Sequence, residues 1–523
     1  MGGLPHLAVF SLGPSVDLPL SNHQANPIAS RISPDGRLAS GRLAGLTMNR
    51  AIWVLSWPIL TESVLNSFVG LTDTILAAGL DDGGAAADAI GGASYVLWFI
   101  GLIVAALGVG STALISRAVG KGRFATANAA LGQTALLAVC LGAAVAALVA
   151  LLAAPVATLL NLSPEASKAF RLFMLINTLG VPMSSFLYGM TACVRGAGDS
   201  RTPLTAMVLV NIVNILLSWT LAGVDLKTSS IVDGQTVSRV LLHNPFEFNL
   251  GVRGIAIGTI TAELIGALYM LWVVNRGVGG IKLHLRRVKP HLTTIARLAR
   301  VGWPNFLETL GMWLGNFMII LMVGWMGQGM LGAHIVAIRI EGFSFLPGFA
   351  MGTAAATLVG QYLGAGSPEF ARRAVWRCAT VAISFMTLGG FVFMAIPQLL
   401  VGLLSSQPAH LHAAPGALFI AGCVQIPFAA GLVFRSAIRG AGDVKAAMWI
   451  TWITTYAVRL PLAYLLSGVT ITLPESLGGT IQNPSGLEPS LAGLWLGLCI
   501  EICVRCALFA WRFFHGAWTR AKV

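Results

Sequence analysis

Long apolar stretches alternate with short polar connections along most of this chain. From about residue 51 onward, apolar runs of roughly 20 residues recur, each long enough to cross about 30 Å of hydrocarbon as a helix. The runs do not alternate between polar and apolar residues, as the strands of a membrane barrel would. The pattern therefore predicts an all-α polytopic membrane protein.

Hydropathy predicts twelve transmembrane helices, six in each half of the chain. The predicted spans are 51–79, 92–116, 126–152, 168–192, 203–223, 252–274, 295–325, 332–360, 374–398, 413–436, 446–468 and 490–514. They define an N-terminal lobe at 48–275 and a C-terminal lobe at 295–523, joined by a cytoplasmic linker at 276–294. Residues 1–47 are rich in Pro, Ser, Gly and Asn and lack a long apolar run, which predicts a disordered or non-native extension.

A short loop sequence appears twice at a constant separation. Arg-Gly-Ala-Gly-Asp occupies 195–199 and again 439–443, an offset of 244 residues (443 − 199 = 244), and Gly120 and Gly364 keep that offset. Such a repeat indicates a tandem duplication, and two similar membrane halves are typical of transporters. No Lys-Ser/Thr follows either loop, so a tight turn with its Arg and Asp paired across it is favoured over a phosphate-binding loop.

Composition and charge support a membrane location. The chain is 56% hydrophobic and only 10% charged, with a net charge of +13. Most of its 33 basic residues lie in the termini and in the even-numbered connections, which places both termini in the cytoplasm. We therefore expect an integral protein of a bacterial cytoplasmic (inner) membrane, with no nucleic-acid partner. The seven cysteines lack zinc-binding spacing, so no metal site is expected from them.

Several motifs, in order, resemble the multidrug and toxic compound extrusion (MATE) family, with the bacterial DinF-like branch as the nearest pattern. They are Arg-Gly-Ala-Gly-Asp-Ser-Arg-Thr-Pro at 195–203, Leu-Thr-Asp-Thr at 71–74 and Val-Gly-Gln-Tyr-Leu-Gly-Ala at 359–365. The resemblance covers nearly all of residues 50–514 and implies two pseudo-symmetric six-helix lobes. It implies a secondary antiporter, not an enzyme, that exports organic, cationic or amphipathic compounds in exchange for protons or sodium ions. No cofactor is expected, and the protein is expected to function as a monomer in the bilayer.

Asp73 is the leading candidate for cation coupling, and the resemblance implies that role. A straight helix from Ala51 would lift Asp73 by about 33 Å, so a solvated aspartate at the helix end is the alternative. Asn211 and Asn214 share one face of the fifth span and could pair with Asp73 or ligate a cation such as Na+. Their alternative role is hydrogen bonding between helices, worth about 0.6 kcal/mol each.

Glu62 and Glu308 form a matched pair of acids near the middle of the first and seventh spans. Each follows a proline by four residues, Pro58 and Pro304 respectively. A proline removes one backbone hydrogen bond, so both are candidate hinges. An ionised side chain at mid-membrane costs about 2.5–3.5 kcal/mol, which makes both acids candidates for coupling or for lining a cavity. The alternative is that they pair with polar neighbours to fix helix packing.

Other ionisable residues of the spans have less specific roles. Arg339 and Glu341 are cavity or coupling candidates, and because they lie two residues apart they are expected to have separate partners. Arg459 is expected to pair with an acid of the second lobe. Glu263 and Glu501 occupy similar places in the sixth and twelfth spans, and a structural role is expected for both.

Three other functions remain open from the residues alone. A lipid-linked oligosaccharide flippase of related architecture would require a more basic cavity than three basic residues within spans provide. An intramembrane enzyme would need a Ser/His, paired-Asp or metal site at depth, and no such set is evident. A static channel fits two duplicated halves less well than alternating access does.

Overall fold

A computed structural model describes residues 31–80, 84–160, 162–232, 235–246, 248–472 and 479–521. Within these residues, ten helices are long and apolar enough to cross a membrane, and a pair of helices bent by 62° forms an eleventh span. A further helix, interrupted by a π-helical turn, completes twelve. The prediction of twelve helices in two six-helix lobes is confirmed.

The helices follow the predicted spans closely. In the first half they are α1 (Met48–Ala78), α2 (Ala85–Gly120), α3 (Phe124–Leu159), α4 (Pro164–Gly196), α5 (Arg201–Ala222) and α6 (Val252–Arg276). After the short α7 (Leu285–Val288), the second half has α8 (Leu292–Gly324), α9 (Met330–Ala365), α10 (Pro368–Ala395), α11 (Pro397–Leu404), α12 (Pro408–Cys423), α13 (Gln425–Gly440), α14 (Val444–Ile453), α15 (Leu460–Ser467) and α16 (Leu491–His515). We call the face on which α1 begins and α16 ends the terminal face.

Two spans of the second half depart from a regular helix, and both departures lie beside prolines. The tenth span breaks between α12 and α13 at Val424, and Pro427 lacks the N–H that would bond to the carbonyl of Cys423. The eleventh span contains a π-helical turn at Thr454–Arg459, just before Pro461. Such turns occur often at functional positions of helices. Here the turn changes which side chains of this span face its neighbours.

Short antiparallel hairpins lie on the face opposite the terminal face. In each half, a hairpin connects the fifth and sixth spanning helices: β1 (Leu226–Val232) pairs with β2 (Gln235–Leu242), and β3 (Ile471–Thr472) pairs with β4 (Thr480–Ile481). Both lobes therefore have an elaborated connection at the same topological position.

The two lobes meet along a seam of glycines that lies toward the terminal face. A Cβ atom on Gly120 of α2 would overlap the backbone carbonyl of Gln361 on α9, and one on Gly364 of α9 would overlap that of Arg117. The Gln361 side chain also donates from Nε2 to the carbonyl of Gly196, at 3.1 Å. The helix backbones approach closely because these positions carry no side chain. In this conformation the lobes are sealed together on the terminal side.

The N-terminal residues correct one expectation. Residues 31–47 are ordered and lie across both lobes, although residues 1–30 lie outside the described part of the chain. Ser40 donates to the carbonyl of Val119 in the first lobe at 2.7 Å, and Tyr362 of the second lobe donates to the carbonyl of Gly36 at 2.9 Å. Leu43 is buried. Residues 1–47 were predicted to be a disordered or non-native extension, and disorder is wrong for residues 31–47, where Leu38 and Leu43 are buried in a hydrophobic cluster.

The linker at 276–294 packs against the first lobe. The Gln133 side chain of α3 donates to the carbonyls of Arg287 and Lys289 at 2.7 and 2.8 Å, and its oxygen accepts from the backbone of His291 at 3.0 Å. Positive charge accumulates on this face. Partial burial, together with the charges of neighbouring arginines, lowers the pKa of Lys121 in the loop after α2.

Candidate functional site

Asp73 lies inside the first lobe, enclosed by α1, α5 and α6. It is only 5% exposed, so the solvated helix-end alternative is excluded. Thr259 of α6 donates its hydroxyl toward both carboxylate oxygens, at 3.1 and 3.0 Å, and the Asn214 amide of α5 lies 3.4 Å from Oδ1. No Lys, Arg or His side chain of the described residues pairs with it. An aspartate with only neutral partners thus occupies the interior of a membrane lobe.

Asn214 supplies an unused acceptor beside this carboxylate. Its amide nitrogen contacts Thr259 Oγ1 at 3.0 Å and Ser218 Oγ at 3.2 Å, while its Oδ1 atom is buried without a hydrogen-bond partner. A buried carbonyl oxygen without a partner is unfavourable by about 1–3 kcal/mol. The carboxylate, the amide oxygen and the threonine hydroxyl together offer the oxygen ligands that a small hard cation or a proton would use.

Close helix packing creates this arrangement. Gly258 of α6 faces Ser218 of α5 so closely that a Cβ atom would overlap the serine. The approach brings Thr259, the next residue, within reach of Asn214. The other candidate amide, Asn211, is buried but donates to the carbonyl of Met207 on its own helix at 2.9 Å. The structure therefore brings Asn214, and not Asn211, to Asp73.

Glu62 and Glu308 are both buried, and each pairs with arginine from its own lobe. Glu62 forms an ion pair with Arg195 of α4. Glu308 Oε1 lies 2.6 Å from Arg435 Nε of α13 and accepts from Thr451 at 3.0 Å, and Arg439 lies 4.0 Å from its second oxygen. These contacts match the structural alternative, in which the acids fix helix packing. Pro58 and Pro304 are both buried within helices that continue past them.

These ion pairs correct the interpretation of the repeated loops. Arg195 and Arg439 approach the buried glutamates and do not pair with the aspartates of their own loops. Asp199 instead accepts from Arg42 at 2.7 Å and from the backbone of Arg201 at 2.9 Å. Asp443 accepts from Arg512 of α16. A turn-local pairing was wrong because the helix preceding each loop directs its arginine back into the lobe.

The second lobe contains a buried Arg–Glu–Arg triad. Glu501 of α16 is fully buried, with Arg459 Nη2 at 2.9 Å and Arg505 Nε at 2.6 Å. Arg459 also donates to Asn316 at 2.6 Å, and Arg505 donates to Thr455 at 2.9 Å. The pairing expected for Arg459 is confirmed. The π-helical turn contributes Thr454, Thr455 and Arg459 to this cluster.

The triad leads to a stability prediction. Replacing Glu501 by glutamine leaves two buried guanidinium groups without their anion, which we expect to destabilise the protein by about 3–5 kcal/mol. Thermal unfolding of the purified protein in detergent measures the effect. The matched control is Glu369→Gln, which removes the exposed i,i+4 pair with Arg373 and should change stability by about 0.3–0.5 kcal/mol. An unchanged melting temperature for the Glu501 variant would contradict a structural role for the triad.

Away from the helix ends, three acids of the described spans have no basic partner within 4 Å: Asp73, Glu263 and Glu341. Glu341 of α9 is partly buried and lies within electrostatic range of Arg459, whereas Arg339 is exposed on the same helix. They have separate surroundings, as their spacing predicted. Glu263 was expected to share a structural role with Glu501, but the structure gives the two glutamates different surroundings. Among the described residues, no group of three or more His, Cys, Asp or Glu could hold a metal ion.

Comparison with known proteins identifies similar chains over nearly the whole length. The family model described as MatE matches residues 58–220 and 304–465. The probable multidrug resistance protein NorM of Thermotoga maritima is 25% identical over 90% of this chain and 93% of its own. The multidrug resistance protein PmpM of Pseudomonas aeruginosa is 22% identical over 89% and 92%. The two segments matched by the family model fall in the two halves of the repeat.

Solved structures share the fold. A crystal structure reported as MATE in the bent conformation aligns with a TM-score of 0.75 at 19% identity, covering 90% of this chain and 96% of that one. A transporter of the MOP superfamily from Pyrococcus furiosus aligns with a TM-score of 0.74 at 20% identity, covering 91% and 97%. Each of these structures aligns with both lobes of the present chain.

Proposed function

Because this chain belongs to the MATE family of membrane transporters, we propose that it is a secondary antiporter that exports organic compounds in exchange for a proton or a sodium ion. It is a transporter and not an enzyme. The observation that carries the proposal is the buried carboxylate of Asp73, which has no basic partner and lies beside the unpartnered oxygen of Asn214.

A carboxylate in this position favours a bound cation. An ion buried without its counter-charge is strongly unfavourable, and a cation at Asp73 would neutralise it while satisfying Asn214. Of the other deep acids, Glu62, Glu308 and Glu501 are already neutralised by arginines of the protein. The first lobe is therefore the better place for reversible cation binding, and one charge moved across 100 mV provides about 2.3 kcal/mol.

The seam between the lobes supports alternating access. The contacts of Gly120 and Gly364, together with residues 31–47, hold the lobes together on the terminal side. The positive charge of that side favours a cytoplasmic location. The structure then corresponds to the state closed toward the cytoplasm. Rocking of one lobe against the other would open the cytoplasmic side, and cation binding at Asp73 would bias that equilibrium.

Cationic or amphipathic organic compounds are the proposed substrates. The relatives NorM and PmpM carry the names of multidrug resistance proteins. A lipid-linked oligosaccharide flippase is less well supported, because Arg435, Arg459 and Arg505 are engaged by glutamates and offer no free positive charge to a phosphate. We further propose a bacterial inner-membrane location with both termini cytoplasmic and function as a monomer.

Transport into proteoliposomes tests the proposal directly. A proton gradient and a sodium gradient are imposed separately, and uptake of a fluorescent organic cation is compared with uptake of an anionic dye of similar size. We expect the gradient of the ion that binds at Asp73 to drive uptake of the organic cation. Protein-free liposomes provide the background. Uptake that responds to neither gradient, or that is equal for the anionic dye, would contradict the proposal.

A further inference from the structure

Glu263 lies one helical turn from the Asp73 site, on the side toward the terminal face. It follows Thr259 by four residues on α6, so the two side chains project from the same face of that helix. The α6 helix runs from Val252 on the opposite face to Arg276 on the terminal face. Glu263 is thus about 6 Å further along the lobe than the threonine that contacts Asp73.

Glu263 has neutral and acidic neighbours in the described part of the chain. Its carboxylate lies against α4, where a Cβ atom on Gly180 would be 3.1 Å from Oε2, and the Ser184 hydroxyl is beside it. Among the described residues no Lys, Arg or His pairs with it, and the charge it meets from α1 is that of Asp73. Glu501, which has a similar place in the sequence of the other lobe, is held between two arginines. The first lobe therefore contains two neighbouring carboxylates and no arginine between them.

Polar groups continue from Glu263 toward the terminal face. Tyr188 of α4 is within electrostatic range of both Glu263 and Glu62, and its hydroxyl donates to Asn66 Oδ1 of α1 at 2.9 Å. Along α1, Asn66 and Glu62 lie about 10 and 16 Å below Asp73. The Glu62–Arg195 ion pair is the last member of this row of polar side chains on the terminal side. Glu263 occupies the position between the cation site and the side on which a carried cation would be released.

We propose that Glu263 is a second cation-carrying carboxylate, coupled to Asp73, so that two cations enter the first lobe for each substrate exported. Two neighbouring carboxylates in one lobe repel each other when both are ionised, so the pair favours bound cations more strongly than either acid alone. This inference rests on the proposed antiport function and adds its stoichiometry.

The sustained substrate gradient measures that stoichiometry without depending on how much protein is active. Proteoliposomes are clamped at zero membrane potential with valinomycin and equal potassium, and a tenfold gradient of the coupling ion is imposed. The substrate gradient at which net flux vanishes is then determined. Each exchanged ion multiplies the sustainable substrate concentration ratio by the tenfold concentration ratio of that ion. Tight coupling to two ions therefore sustains about a 100-fold substrate gradient, and coupling to one ion sustains about a tenfold gradient.

We expect about 100-fold for the native protein, about tenfold for Glu263→Gln, and 100-fold again for Glu263→Asp, which keeps the charge. The control Glu165→Gln removes an exposed acid at the start of α4 and should keep the native value. A native protein that sustains only tenfold, or a Glu263→Gln variant that still sustains 100-fold, overturns the inference while leaving antiport intact. If the native protein shows no ion-driven flux at all, the proposed function itself fails.

Discussion

Replacing Asp73 by asparagine is expected to abolish ion-driven export while leaving the protein folded. The amide preserves the size of the side chain and its contacts with Thr259 and Asn214, but it takes up no proton at neutral pH and carries no negative charge to hold a sodium ion. Coupled sites in transporters and enzymes typically change each other's affinity by about 5–150-fold. We expect that cation-dependent change in substrate affinity to disappear in the variant.

Two measurements distinguish loss of coupling from loss of folding. Dye efflux from cells gives the transport rate, and substrate binding to purified protein with and without the cation gives the coupling. The matched control is Asp88→Asn, which removes an exposed aspartate in the first turn of α2. Efflux at the native rate, or a cation-dependent affinity that survives, would remove Asp73 from the mechanism.

Gly120→Ala is expected to shift the protein away from the conformation sealed on the terminal side. The added methyl group would overlap the backbone of Gln361, and a backbone carbonyl within a helix cannot rotate aside. Overpacking of this kind costs about 1–3 kcal/mol. The overlap exists only when the lobes meet, so the penalty applies only to the conformation that is sealed on the terminal side. The population ratio of the sealed to the open conformation should therefore change by roughly 5–150-fold.

Distances between spin labels on the terminal face measure this shift. Labels at Lys121 and Glu369, which are exposed and belong to different lobes, should move further apart in the Gly120 variant. The seven native cysteines are replaced first. Gly101→Ala is the control, since it adds the same methyl group to the same helix with nothing within 4 Å. If both variants give the native distance distribution, the glycine seam does not govern the equilibrium.

The number and order of the helices could be predicted from the sequence because the bilayer imposes a minimum apolar length on every span. The break at Val424 and the π-helical turn at Thr454–Arg459 could not be predicted in the same way. Hydropathy averages over a whole span, whereas these features depend on one missing backbone donor and on local packing. The ordered conformation of residues 31–47 could not be predicted for a related reason. It depends on surfaces that exist only after both lobes have folded.

The candidate site was accessible to sequence reasoning only in part. Asp73 stands out because an acid inside a span is rare and costly. Whether such an acid has a partner depends on residues far away in the chain: Glu62 meets Arg195 and Glu308 meets Arg435. Glu263 and Glu501 have similar sequence positions and opposite environments, and only the folded structure separates them. The signal in the sequence was that residues 203–223 and 254–274 contain no arginine, whereas Arg459 and Arg505 lie in the corresponding spans of the second lobe.

The distribution of ion pairs has a consequence for the kinetics of transport. Among the described residues, every ion pair between two spanning helices joins helices of the same lobe. Rocking the lobes apart therefore breaks none of these ion pairs, and separating their charges adds no electrical work to the activation barrier. Dissolved salt screens charges but does not affect contacts between glycine-faced helices. The rate of switching should accordingly follow the thickness and packing of the surrounding lipid more closely than ionic strength.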